Sequence, residues 1–138
     1  MRTQRGWAIG LKVVATVAIL FGALTIFSGG RALFGGPEAS AAVGNAVPFV
    51  LWFNFLAGFA YIVAGTGLLL RRPWAIRLAW AIAIATLLVF AAFGIHVIAG
   101  GAFEMRTVGA MTLRSVFWIA VATLAARTLK HRETASPS

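Results

Sequence analysis

The chain has 138 residues, of which 61% are hydrophobic and 11% charged, with a formal net charge of +9 and a mean hydropathy of +0.93. A soluble domain carries about 25% charged residues, so too few charges exist here to cover a water-facing surface, and lipid must cover it instead. The lack of cysteine excludes disulfide chemistry of the chain's own and cysteine-held metal clusters.

A bilayer needs roughly 20 predominantly apolar residues per helical span, and four stretches meet that length. The first, 7–27, is "WAIGLKVVATVAILFGALTIF", with Lys12 near its start. The basic opening and apolar run resemble a signal peptide, but the run is long and no small-residue cleavage site follows it cleanly, so it reads as a retained span. The connection from Ser28 to Ala46, "SGGRALFGGPEASAAVGNA", is rich in Gly, Ala and Ser. It exceeds the usual helix–helix link of about 2–8 residues and is expected to fold over one face of the bundle.

The second span, 47–70, carries no charge and starts at Pro48, a residue suited to a first helical position. Asn54, Gly58, Tyr61 and Gly65 alternate four and three apart, which turns one stripe towards a partner helix. Small residues on such a stripe let backbones approach closely in lipid. The turn "RRPW", 71–74, is short and basic and makes spans two and three antiparallel neighbours. The third span, 74–100, contains the apolar run 78–99, whose only ionisable group is His96. The fourth, 107–127, holds Arg114. Beta-barrel strands would show about ten-residue alternating segments, and these runs are continuous. Trp52, Trp74, Trp80 and Trp118 read as anchors at the membrane interface.

The fold expected is therefore an all-α integral membrane protein: a four-transmembrane-helix antiparallel bundle forming a single domain over 1–130. A disordered cytoplasmic tail over 131–138 follows. Lys and Arg in short loops stay cytoplasmic. Arg2, Arg5, Lys12, Arg71, Arg72, Arg77, Arg127, Lys130 and Arg132 fall on the side of the termini, against Arg31, Arg106 and Arg114 on the other. Both termini are thus expected inside, in a bacterial-type plasma (inner) membrane. The basic residues sit at helix ends rather than on one folded face, so no nucleic-acid partner is expected.

The stretch "HVIAGGAFEMRTVGAMTLR", 96–114, gathers one of three acids, one of two histidines and two arginines. Asn54 and Arg114 each lie seven residues inside a span, roughly 10 Å below the outer boundary at 1.5 Å per residue. A hairpin turning at Met105 brings His96 to a similar depth. The candidate ligand-binding residues are Asn54, Tyr61, His96, Glu104, Arg106 and Arg114, since ionisable groups inside a membrane are costly and mark sites. Arg114 stays charged and needs a partner; Glu104 is the expected one and Glu38 the second. Two readings stay open: a cationic site for an anionic or quinone-like head group, or an ion pair locking spans three and four. His96 reads as a proton carrier, a hydrogen-bonding core residue or a haem ligand. Haem would need a second copy of His96 or Met111 as the other axial ligand. No nucleophile–base–acid triad, phosphate loop or carboxylate-rich metal set is recognisable.

From "AILFGALTIFSGGRALFGG" to "VPFVLWFNFLAGFAYIVAGTGLLLRRPWAIRLAWAIAIATLLVF" the chain resembles the DoxX-like family of small four-helix membrane proteins. The features shared are a Gly-containing first span ending in Ser-Gly and a proline-initiated second span. A Gly-Leu-Leu ending, a basic turn and an alanine-rich third span follow. The resemblance implies a link to membrane redox complexes, including quinone-reducing ones, or to assemblies that handle oxidative stress. It carries over no catalytic residue. The expected function is an accessory or quinone-associated subunit of a membrane redox complex, rather than a self-sufficient enzyme. The alternative is a small transporter or a lipid- or small-anion-binding protein. The expected partners are the bilayer and redox-complex subunits; Phe- and Leu-rich faces suit lipid or a second copy in a homo-oligomer equally.

Overall fold

A computed structural model describes residues 2–42, 44 and 47–135. It is all-helical among these residues: α1 (Arg2–Phe34), α2 (Pro37–Ala42), α3 (Pro48–Leu69), α4 (Pro73–Ile98) and α5 (Met105–Ala135). Four stretches, Ile9–Phe34, Pro48–Leu69, Pro73–Ile98 and Met105–Thr128, are long and apolar enough to cross a membrane. The 22 residues of α3 extend roughly 33 Å at 1.5 Å per residue, close to the thickness of a hydrocarbon core. Large apolar side chains on every spanning helix face outward, among them Leu24, Leu56, Leu88 and Leu113. The chain is a multi-pass membrane protein.

Alanine dominates where the helices meet. The main core joins Leu11, Ala15 and Ala18 of α1 to Ala57, Tyr61, Ala64 and Leu68 of α3. Ala75, Ala79, Ile82 and Ala83 of α4 and Trp118, Val121, Ala122 and Ala125 of α5 complete it. Lipid tails are as apolar as leucine, so helices associate here by close packing rather than by escape from water. The seam between α1 and α3 shows this most sharply. A Cβ placed on Gly22 would lie 2.7 Å from the Gly58 carbonyl oxygen, and one on Gly65 would lie 2.9 Å from that of Ala15. The stripe of Gly58, Tyr61 and Gly65 thus turns to α1.

The helices depart from the expected spans at their ends. α1 continues past residue 27 through Ser-Gly-Gly to Phe34, because Phe55 of α3 covers Gly29: a Cβ there would sit 3.1 Å from that of Phe55. Packing here overrides the low helix propensity of paired glycines. α5 runs on to Ala135 and takes in most of the segment read as a tail; residues 136–138 lie outside those described.

α3 and α4 each end in a Schellman turn. In α3, Arg72 N–H donates to Gly67 O at 2.9 Å and Arg71 N–H to Leu68 O at 3.1 Å. Arg71 occupies the left-handed position at φ 57. In α4, Gly101 N–H donates to His96 O and Gly100 N–H to Val97 O, with Gly100 at φ 89.

Candidate functional site

Both long connections meet at one end of the bundle. Gly44, in the α1–α3 connection, lies directly against the Glu104 carboxylate of the α4–α5 connection. Glu104 immediately precedes α5 and its carbonyl accepts the Thr107 N–H at 3.0 Å. Its negative charge therefore stands at a helix N-terminus, where the macrodipole favours it. Below, Val47, Val50, Phe93 and Met111 form a second apolar cluster.

Beside that cluster opens a cleft with a volume of about 290 Å³. Ser28 of α1, Leu51 and Asn54 of α3, and Glu104, Arg106, Thr107 and Ala110 line it together with Val47 and Val50. The size sits at the low end of the roughly 300–1,000 Å³ of ligand pockets, enough for a one-ring head group but not for a long apolar chain. Asn54 Oδ1 is buried and, among the described residues, has no hydrogen-bond partner. Leaving such an atom unpaired costs about 1–3 kcal/mol.

Arg114 belongs to a different place. Its Nη1 donates to Thr25 Oγ1 at 3.1 Å and to Tyr61 Oη at 3.3 Å. The guanidinium carbon stands 4.8 Å from the Phe21 ring centroid and 5.9 Å from that of Tyr61. The expected partner, Glu104, is not among these contacts: the arginine is turned to hydroxyls and ring faces of α1 and α3. Tyr61, fully buried, packs on Trp118 at 4.8 Å and Phe21 at 5.5 Å.

His96 stands apart from both groups. Its Nε2 lies 3.0 Å from Ala102 O, and since a carbonyl only accepts, Nε2 is the donor. The ring packs edge-on to Phe49 at 6.3 Å and against Gly101. His96 is half-buried and ties its ring to the α4–α5 turn. Met111 is fully buried in the apolar cluster, so it and His96 have different surroundings.

The six candidate residues therefore divide into three sets: Asn54, Glu104 and Arg106 at the cleft, Tyr61 with Arg114 in the interior, and His96 closing the α4–α5 turn. Reasoning from spacing alone missed Thr25, Phe21 and Gly44. Trp118, read as an interface anchor, is 0% exposed; its place four residues after Arg114, on the same helix face, was the available signal. Comparison with family models, curated proteins and solved structures yields no match for the chain.

Proposed function

We propose that the protein is an accessory, quinone-associated subunit of a membrane redox complex, and that its cleft takes the head group of a quinone-like amphiphile. One observation carries this reading: the Asn54 amide, with a buried oxygen that has no partner among the described residues, in the wall of a cleft sized for a single ring. An amide offers both an acceptor and donors, so it can pair with a quinol hydroxyl and with a quinone carbonyl. Thr107 and Ser28 add hydroxyls, and Glu104 and Arg106 add a charge of each sign. An apolar tail leaves towards the lipid-facing surface. The resemblance to DoxX-like proteins supports the redox association and adds no residue roles.

The topology that goes with this reading is an antiparallel four-span bundle in a bacterial-type plasma membrane, with both termini cytoplasmic. Support comes from nine basic residues on the terminal side against three on the other, and from the meeting of Gly44 with Glu104 at the end where both connections lie. The cleft then opens in the outer half of the membrane.

The test is equilibrium binding of a short-chain benzoquinone to the protein in lipid nanodiscs. Saturable binding that is lost in Asn54→Leu is the expected result; equal binding by the variant overturns the reading. Arg106 in the cleft wall favours a second reading, a lipid- or small-anion-binding protein or small transporter. Displacement of bound phospholipid, with no quinone binding, would select it.

A further inference from the structure

Half-buried Arg114 holds a permanent positive charge that the cleft does not use. Neither hydrogen-bond partner of Arg114, Thr25 or Tyr61, carries charge, and among the described residues Arg114 makes no ion pair. The chain has only three acids, Glu38, Glu104 and Glu133, against 12 basic residues. Arg114 Nε is buried and, among the described residues, has no hydrogen-bond partner. One helical turn on, Trp118 is 0% exposed and its Nε1, also buried, has no partner among the described residues.

These two orphaned groups are alike in kind. A guanidinium and an indole nitrogen only donate, so neither can satisfy the other, and both call for an acceptor. Both are carried by one face of α5 and both flank the Tyr61 ring, with the Arg114 guanidinium 5.9 Å and the Trp118 ring 4.8 Å from its centroid. Phe21 and Phe117 close the surroundings, 5.5 Å apart and edge to face. A neutral acceptor would satisfy the N–H groups but leave the charge uncompensated in a region of low dielectric, where an isolated ion is most costly. An anion answers both needs at once. The enclosing rings favour a small one.

We propose that Arg114 Nε and Trp118 Nε1 form the donor side of a buried site for a small monovalent anion, of chloride or bromide size, among α1, α3 and α5. The site is separate from the cleft, whose lining includes neither residue, and it stands or falls independently of quinone binding.

The experiment uses the full chain in detergent, exchanged into chloride-free gluconate and titrated with bromide at constant ionic strength. Bromide quenches tryptophan on contact. Trp52, Trp74 and Trp80 are exposed and report collisions with bulk ion, whereas Trp118 is enclosed. The expected result is a saturable quenching component above the linear one, with a melting temperature that rises over the same bromide range, as binding to the folded state requires. Both effects disappear in Arg114→Met. In Trp118→Phe the saturable quenching is lost and the melting-temperature response is weakened, which keeps the test available should the arginine variant not fold. Asn54→Leu retains the whole bromide response, so failure here is distinct from failure of the cleft. Purely linear quenching, with a melting temperature indifferent to bromide in the unaltered protein, overturns the proposal.

Discussion

The two sides of a boundary along one stripe of α3, between Asn54 and Gly58, are built on opposite principles. Towards α1 the helix presents Gly58 and Gly65, and the backbones come so close that a single added carbon would touch a carbonyl oxygen. One turn before Gly58 the same stripe presents Asn54, in the wall of a cleft, with a buried oxygen that nothing in the described protein satisfies. The first side is finished as a packing problem; the second is not. Polar groups that fold without a partner cost stability, and natural sequences keep them where something else is gained. The proposed function lies on the unfinished side.

The largest expected effect breaks the finished side. Gly22→Val puts methyl groups into the Gly58 carbonyl and should cost about 3 kcal/mol, seen as a large fall in melting temperature in detergent. Next comes the lip of the cleft. Gly44 has φ +62 and faces the Glu104 carboxylate, so Gly44→Ala should cost about 1–2 kcal/mol through backbone strain. Ligand affinity should fall with it as Glu104 is displaced.

The unfinished side predicts the opposite sign. Asn54→Leu removes the orphaned oxygen and should raise stability by about 1 kcal/mol while abolishing ligand binding. A residue that contributed only to packing would show no such trade. The smallest effect lies at the other end of the helix. Arg71 holds the left-handed position of a Schellman turn at φ 57, where glycine is usual. Arg71→Gly relieves that strain against a gain in unfolded-state entropy, for a net few tenths of a kcal/mol, with ligand binding unchanged.

The number and rough placement of the membrane helices were legible in the sequence because apolar length is a long-range signal that packing cannot hide. The glycine stripe of α3 was legible for the same reason, through its period. The ends of α1 were not: Ser28, Gly29 and Gly30 read as a stop, and only Phe55 packed over Gly29 carries the helix on. The candidate site was legible in part. Depth counting put Asn54 and Arg114 at similar levels and marked both as unusual. It could not tell that they occupy different levels of the space among α1, α3 and α5, with Arg114 turned to Thr25 and Tyr61 and Asn54 in the cleft beside Ser28. Glu104 was paired with Arg114 on charge alone; the hydroxyls of Thr25 and Tyr61 reach the guanidinium instead.

Native mass spectrometry of the protein extracted from its own membrane in mild detergent tests the central claim most directly. The account predicts that the unaltered chain retains a hydrophobic ligand of quinone-like mass and that Asn54→Leu, although at least as stable, is recovered without it. A bare chain in both, from preparations that keep other membrane complexes and their lipids intact, would contradict it.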